Sequence, residues 1–301
     1  MTRTLLSNAI WPFTVISASA YLIAGYQLGW WIAAVISMPT LLLTGLYLLE
    51  RAMPAGPGTG SHEDPERWND IGHLVFGATL GETLGNGFLR LGAAALAMAL
   101  PAAFDIWPHA WPLAGQIALL IVAAEFLEYW RHRLVHRIPL LWRAHELHHS
   151  GGNLNVLKSS RNHVLDLLMR AVTVFAPLVL LGAPPESIPF YTVAVLVFGP
   201  IAHANLALQF PHWLHYVIST PPVHALHHAR DPRLSDHNFA TLPLLDIVFG
   251  TFEHPAGHGR PVAGVAGPAP PKDFLGQLAA PFRDARRGAG AVTPEDQPLA
   301  A

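Results

Sequence analysis

The stretch HELHH, residues 145–149, fits two incompatible patterns, and the choice between them decides what kind of protein this is. As H-E-x-x-H it is the zinc-protease pattern, in which His145 and His149 bind the metal and Glu146 is the general base. As H-x-x-H-H it offers three imidazoles, His145, His148 and His149, at the helical spacings of three and four. The rest of the chain has to discriminate between the two.

The composition is that of a membrane protein. Of the 301 residues, 51% are hydrophobic and 13% are charged, and the mean hydropathy is +0.33. That charged fraction is about half of the ~25% usual in soluble domains. A net charge of −2 without a basic block argues against nucleic-acid binding. The absence of cysteine excludes disulfides, iron–sulfur clusters and thiolate ligands, so nitrogen and oxygen must hold any metal.

Long apolar segments predict an all-α, polytopic membrane protein, a helical bundle with about six transmembrane spans. A helix needs about 17–25 apolar residues to cross a bilayer. Segments of this kind occur at 9–28, 30–49, 88–105, 112–130, 165–182 and 187–205. Residues 70–87 are apolar but interrupted by five glycines and Glu82, so we expect an interfacial or re-entrant segment there.

We divide the chain into three regions. Residues 1–110 form N-terminal membrane helices to which the sequence assigns no role, and residues 111–254 carry all three histidine clusters described below. Residues 255–301 are rich in Pro, Gly and Ala and predict a largely disordered tail, with a surface helix at about 272–284.

The basic residues predict the orientation of the bundle. The 131–161 connection holds six Lys and Arg residues, whereas the connections near 28–30, 105–112 and 182–187 hold none. By the positive-inside rule, the 131–161 connection, the N-terminus and everything after residue 205 lie on the cytoplasmic side.

Histidine is the most unusual feature of the composition, because the 18 histidines equal the total of Lys and Arg. They cluster in HRLVH (132–136), HELHH and HALHH (224–228), and His203 ends the sixth apolar segment. In the six-span layout all of these lie at one membrane face. The candidate ligands are His132, His136, His145, His148, His149, His203, His224, His227 and His228.

The number of histidines favours two metal ions. One metal rarely takes more than six ligands, whereas two metals with four or five ligands each use eight or nine imidazoles. Neutral imidazole suits iron, zinc, copper and nickel. We therefore predict a cytoplasmic, histidine-rich site for two metal ions; the alternative is a histidine-rich surface patch that binds nothing.

Two functions would use these histidines in other ways. A membrane zinc metalloprotease would use HELHH with Asp246 as third ligand, but it gives no role to the HRLVH and HALHH histidines, and HALHH has Ala225 where HELHH has Glu146. A metal-handling membrane protein would explain the histidine excess. Transporters, however, usually place their polar ligands near the bilayer midplane rather than at one face.

Six motifs, in order along the chain, resemble one family. They are HRLVH (132–136), LWRAHELHHS (141–150), HAN (203–205), TPPVHALHH (220–228), DHNF (236–239) and LLDIVFGTF (244–252). Residues 115–252 thus closely resemble the fatty acid hydroxylase/sterol desaturase superfamily, which implies that the region 111–254 is a catalytic domain of that kind. The first 110 residues match nothing that we can name.

The resemblance implies an integral-membrane, non-haem di-iron enzyme that uses O2 and electrons to oxidise C–H bonds of a membrane lipid such as a sterol or fatty acyl chain. Hydroxylation, desaturation and oxidative demethylation all remain open. The chain has no flavin, nicotinamide or iron–sulfur motif, so a separate electron donor is implied, of the ferredoxin or cytochrome b5 type with its reductase. Two iron ions are the implied cofactor, with zinc as a possible substitute.

The resemblance also implies roles for individual residues. The eight histidines of the three clusters would be metal ligands and His203 a ninth, with His163 as an alternative that has an equally plausible structural role. Three further polar residues either orient imidazoles or cap and turn the chain, and Glu128 is either such a partner or an ordinary helix-end charge. These three residues are Asn205, Asn238 and Asp246.

Overall fold

The computed structural model describes residues 2–56, 60–77, 106–184 and 187–283. Within these ranges the chain is helical, with two isolated β-bridges and no longer strand, which confirms the predicted all-α class there. The helices are α1 (Thr2–Gln27), α2 (Trp31–Ala52), α3 (Arg67–Phe76), α4 (Leu113–Arg137), α5 (Pro139–His149), α6 (Val164–Arg170), α7 (Ala176–Leu180), α8 (Ile188–His203), α9 (Pro221–His227), α10 (Pro232–Ser235), α11 (Leu244–Val248) and α12 (Phe274–Arg283).

Helices α1 and α2 form an N-terminal hairpin that packs on α8. Gly29 joins them with a φ of 80°, a left-handed conformation that glycine adopts without steric cost. Met38 and Leu46 of α2 are buried in one apolar cluster with Ile201 of α8. Because these helices are predicted spans and lipid is as apolar as these side chains, van der Waals packing holds the hairpin to the helix that ends at His203.

Four predicted spans correspond to helical segments at 2–27, 31–52, 113–137 and 188–203, and a fifth to α6, a π-helical turn and α7 over 164–180. The predicted span at 88–105 lies outside the described residues, as does most of 70–87. By length and composition, two of the described helices can cross a membrane: Asn8–Gln27 and Leu113–Arg137. The six-span layout and the side of the site remain predictions.

HRLVH and HELHH lie on consecutive helices that a single residue separates. Helix α4 continues to Arg137, seven residues beyond the predicted end of its span at 130, so HRLVH forms its last two turns. Pro139 is the first residue of α5, a position where a missing N–H costs nothing. Between the helices Ile138 has an extended backbone, which turns α5 back against α4 and brings the two motifs into contact.

Buried ion pairs join the predicted 131–161 connection to other parts of the fold. Lys158 donates to Asp70 at 2.7 Å, and Arg161 Nη1 lies 3.0 Å from the other carboxylate oxygen of Asp70. Arg131 is likewise buried and paired. Three of the six basic residues in this connection are therefore neutralised inside the protein. The connection presents less free positive charge than its sequence indicates.

Residues 255–283 pack against the histidine-bearing helices, whereas composition led us to expect a loose tail. Backbone hydrogen bonds from Arg230 N to Val262 O (2.8 Å) and from Gly264 N to His228 O (3.1 Å) pair this segment with the end of HALHH. The predicted surface helix at 272–284 corresponds to α12, and its Gln277 is buried against His73. Residues 284–301 lie outside the described part of the chain.

Candidate metal centre

Five imidazoles from three helices meet in one buried group, which we call the five-histidine group. Helix α4 contributes His132 and His136, α5 contributes His145 and His149, and α9 contributes His227. One ring nitrogen of each lies within 4.8 Å of the corresponding nitrogens of the others. The two clusters that are farthest apart in sequence, 132–149 and 224–228, therefore meet as predicted.

Four more imidazoles form a second group, the four-histidine group, in which one ring nitrogen of each residue again lies within 4.8 Å of those of the others. Its members are His148 of α5, His203 at the end of α8, and His224 and His228 of HALHH. The rings of His149 and His228, one from each group, stack at a centroid distance of 4.2 Å and an interplanar angle of 15°. The two groups therefore adjoin, and all nine predicted ligands belong to one or the other.

The hydrogen bonds of the five-histidine group fix which ring nitrogens carry protons. His132 Nδ1 lies 2.7 Å from Phe239 O, and His227 Nδ1 lies 2.8 Å from His237 O. Because a carbonyl oxygen only accepts, both Nδ1 atoms must donate, which leaves both Nε2 atoms of the neutral rings with bare lone pairs. These two Nε2 atoms are 3.0 Å apart. Two lone pairs at that distance repel unless a cation lies between them.

The same argument identifies the protonated nitrogen of His203 in the four-histidine group. His203 Nδ1 donates to Gly199 O at 2.8 Å, so its Nε2 only accepts, and it faces His148 Nε2 at 3.3 Å and His224 Nε2 at 3.1 Å. His136 Nε2 is buried and has no hydrogen-bond partner among the described residues. A buried ring nitrogen without a partner costs free energy, and a metal ion would satisfy it. The residues fit a pair of cations bound by nitrogen.

The protonation state also suits metal binding. Burial lowers the pKa of His148, His149, His224 and His228 well below the ordinary value of 6.5, and neighbouring imidazoles lower it further. Burial lowers the pKa of His227 to about 3. These rings are therefore neutral at pH 7, the form in which imidazole binds a metal.

A chain of buried ion pairs holds the His145 ring through its Nδ1 atom. Its Nδ1 donates to Asp166 Oδ2 at 3.1 Å, and Asp166 Oδ1 accepts from Arg131 at 2.7 Å. Arg131 in turn makes a two-point pair with Glu128, which also accepts from Arg170 at 2.7 Å. Glu128 thus supports the site through Arg131 and contacts no imidazole directly. Sequence reasoning missed Asp166, although it lies three residues after His163.

Asn238 and Asp246 act on the loop whose carbonyls receive His132 and His227. Asn238 has a φ of 60°, which asparagine tolerates, and its side chain bonds the backbone of Glu253 through both its oxygen and its nitrogen. Asp246 accepts from the backbone N–H groups of Phe239 and Ala240, each at 2.9 Å. Both residues therefore turn and hold the chain, and they orient imidazoles only through backbone carbonyls.

The remaining two candidates lie outside both groups. His163 caps α6, because its Nδ1 accepts from Leu165 N at 3.1 Å, and its Nε2 donates to Leu278 O at 3.0 Å. The structure thus gives His163 the structural role and brings His203, not His163, to the other imidazoles. Asn205 donates its backbone N–H to Glu50 at 2.6 Å and accepts a hydrogen bond from Arg260.

Comparison with known proteins assigns the chain to a family. The family model for fatty acid hydroxylase matches residues 117–251. Ornithine lipid hydroxylase OlsE of Rhizobium tropici is 34% identical over 252 residues, which cover 82% of this chain and 75% of that protein. The chain belongs to the fatty acid hydroxylase family. The family resemblance seen in the sequence motifs is thereby confirmed.

Other relatives match over shorter ranges of the chain. Alkylglycerol monooxygenase of Homo sapiens is 30% identical over 144 residues, which cover 44% of this chain and 29% of that protein. Very-long-chain aldehyde decarbonylase GL1-2 of Oryza sativa subsp. indica is 29% identical over 202 residues, covering 62% of this chain and 30% of that protein. Each of these two matches spans less than a third of the relative's own length. No solved structure matches the chain.

The geometry of this fatty acid hydroxylase family member also bears on the protease alternative. His145 and His149 share their group with three further imidazoles, which a protease zinc site does not need. Asp246, the third ligand in that alternative, uses both carboxylate oxygens on backbone N–H groups instead. HELHH is therefore best interpreted as H-x-x-H-H.

Replacing Asp246 with asparagine is expected to loosen the metal site from a distance. Burial raises the pKa of Asp246 to about 6, so at pH 7 it is mostly a carboxylate that accepts from two amides and from Thr251 Oγ1. An asparagine would turn an N–H group toward one of those amides and shift the loop that carries Phe239 O. We expect iron affinity to fall by about 10–100-fold, measured by competition with a chelator.

The matched control for this prediction is Asp231→Asn, because Asp231 is a partly exposed aspartate that pairs only with Arg233 among the described residues. It should leave the chelator titration unchanged. Unaltered iron affinity in Asp246→Asn would mean that the loop carbonyls do not govern the imidazoles.

Proposed function

We propose that this protein is a membrane-bound di-iron oxidoreductase that oxidises a C–H bond of an apolar lipid with O2. One observation carries the proposal: nine imidazoles, eight of them buried, lie in two adjoining groups, and bare Nε2 lone pairs face one another inside them. The family and its relatives support the same chemistry, since two of them are named as a lipid hydroxylase and an alkylglycerol monooxygenase.

The two groups have distinct tasks in this proposal. The five-histidine group would hold one ion and the four-histidine group the other, as neutral donors without a carboxylate. A pair of iron ions, when bound, supplies the oxidising power that activation of O2 and cleavage of a C–H bond require. Zinc fits the same nitrogen donors but has no redox chemistry, so it would substitute without activity.

The protein's own residues keep the ligands in position and neutral. Asp166 and the carbonyls of Phe239, His237 and Gly199 each accept from an Nδ1 atom and so direct the opposite ring nitrogen inward. Burial excludes water, which protects an oxidising centre from side reactions. The ring orientation is thus fixed before any substrate arrives.

Electrons would come from a separate protein, because the chain has no cysteine for an iron–sulfur cluster. We propose a donor of the ferredoxin or cytochrome b5 type with its reductase. Three basic residues of the 131–161 connection cannot dock this donor, because Arg131, Lys158 and Arg161 are buried in ion pairs. A docking face would have to use other residues of this side.

The test combines metal analysis with comparative lipid mass spectrometry. Protein purified after iron-replete expression should hold about two irons per chain. Lipids of expressing cells should contain a species shifted by about +16 mass units for hydroxylation or about −2 for desaturation, absent from vector controls and dependent on O2. Protein without iron under these conditions, or cells without any new lipid species, would overturn the proposal.

A further inference from the structure

A cavity of about 430 Å³ opens beside the four-histidine group. His203 lines it, and so does Ala225, the residue that follows His224 in HALHH. HELHH has Glu146 at the matching position, so the second motif offers a methyl group to the cavity where the first has a carboxylate. Much of the remaining wall is apolar and includes Leu206, Leu208 and Phe210. An apolar wall that ends at a metal-binding group suits the alkyl part of a lipid.

One charged residue interrupts this wall. Among the residues that line the cavity within the described part of the chain, Arg260 is the only Lys or Arg, and none is acidic. Arg260 is exposed and donates from Nη2 to Asn205 Oδ1, and its other guanidinium N–H groups have no hydrogen-bond partner among the described residues. Desolvation lowers the pKa of Arg260 and the charge of Glu50 opposes that shift, but Glu50 is buried and already accepts from the backbone N–H groups of Val156 and Asn205.

The chain fixes Arg260 relative to the imidazoles. The segment after it pairs with the end of HALHH through the hydrogen bonds Arg230 N to Val262 O and Gly264 N to His228 O. Asn205, the side-chain partner of Arg260, comes two residues after His203. The guanidinium is therefore held at a set position with respect to two members of the four-histidine group, although it lies in a segment without regular secondary structure.

We propose that Arg260 binds the anionic headgroup, a carboxylate or a phosphate, of a lipid whose alkyl part occupies this cavity beside His203. A guanidinium is planar and always charged, and it binds both kinds of oxyanion through two parallel hydrogen bonds. The lipid is thereby held by its head, and the distance from head to His203 selects which carbon faces the metal-binding group. The inference rests on the proposed function, because it names the substrate class of that same site.

The experiment measures equilibrium binding of three labelled lipids to the purified, iron-loaded, full-length protein in lipid nanodiscs. The probes are hexadecanoate, hexadecyl phosphate and uncharged 1-hexadecanol. The wild-type protein should bind at least one of the two anions about tenfold or more tightly than hexadecanol, as expected for a charge-assisted hydrogen bond. Arg260→Gln should reduce that preference to less than about twofold and leave hexadecanol binding unchanged.

Two further variants make the result specific. Arg233→Gln removes an exposed arginine that does not line the cavity, and it should retain the full preference. Ala225→Phe fills the cavity and should weaken binding of all three lipids. The anion whose binding depends more on Arg260 identifies the headgroup as carboxylate or phosphate.

The proposal is overturned if Arg260→Gln retains the anion preference, if the wild type shows none, or if Ala225→Phe leaves binding intact. These outcomes are separable from failure of the proposed function. A protein that holds no iron and oxidises no lipid overturns the oxidase, whereas an anion preference that does not depend on Arg260 overturns only the headgroup site. The binding assay requires no turnover.

Discussion

Replacing His136 or His224 with alanine should abolish lipid oxidation and remove iron. The two residues belong to different groups, so each variant deprives one group of a ligand and leaves the other complete. Losing even a residue that only supports a ligand typically costs 10–100-fold in metal affinity or activity, so losing a ligand should cost at least about a hundredfold. Iron content, measured by mass spectrometry, should fall from about two per chain to about one or fewer.

The effect of His136→Ala on stability should depend on whether iron is bound. In metal-free protein the facing lone pairs repel, as the 3.0 Å approach of His132 Nε2 and His227 Nε2 indicates. Replacing His136 also removes a buried ring nitrogen that has no hydrogen-bond partner among the described residues, so the melting temperature of the metal-free His136→Ala protein should stay the same or rise. With iron bound, the melting temperature should fall, because a ligand that stabilises the folded state has been lost.

His258→Ala is the matched control. His258 lies outside both groups and pairs with Glu253 at the surface, so its loss should affect neither iron content nor activity. A metal-free His136→Ala protein that is far less stable than the metal-free wild type would mean that the ring serves packing. Full iron retention in both variants would refute the assignment of ligands.

The helical spacing of the histidines predicted which residues would meet, but not how they would divide. In HELHH, His145 and His149 join the five-histidine group, while His148 joins the other. In HALHH the division is reversed: the pair spaced by four, His224 and His228, belongs to the four-histidine group, and the single histidine between them belongs to the five-histidine group. Each H-x-x-H-H motif therefore contributes two imidazoles to one group and one imidazole to the other, which explains its three histidines.

Sequence spacing cannot predict that division. Residues three and four apart lie near one another on any helix, so both motifs look alike in isolation. Which ring faces which group depends on how α5 and α9 are rotated relative to α4, and tertiary packing sets those angles. The sequence therefore supports a count of ligands and a site for two ions, and the partition had to come from the fold.

The residues that support the ligands were harder to predict for a different reason. His145 and Asp166 are 21 residues apart, and Arg131 and Asp166 are 35 apart, so neither contact leaves a local pattern. Composition was also a poor guide after residue 255, because backbone pairing with His228 and Arg230 orders a segment whose Pro and Gly content is typical of disorder. Local propensity reports nothing about such distant partners.

Asp166→Asn should weaken iron binding and also destabilise the fold, because Asp166 joins a ligand to a buried charge network. Asparagine keeps the shape and one acceptor oxygen, but it loses the charge that attracts Arg131. Its amide can also turn an N–H group toward His145 Nδ1, which then has no acceptor. Removing one partner of a buried ion pair costs about 3–5 kcal/mol in general. Since Arg131 retains Glu128, we expect the lower end of that range, measured by denaturant unfolding.

Stability alone would not distinguish a positioning role from a structural one, and Glu128→Gln provides the matched comparison. Glu128 is the other partner of Arg131 and lies in the same network, but it does not contact His145. Both substitutions should therefore lower the free energy of unfolding by similar amounts. If Asp166 orients the imidazole, only Asp166→Asn should also lower iron affinity in the chelator competition, by about 10–100-fold. Equal losses of iron affinity in the two variants would instead mean that the network acts only through stability, and that His145 needs no carboxylate to face the metal.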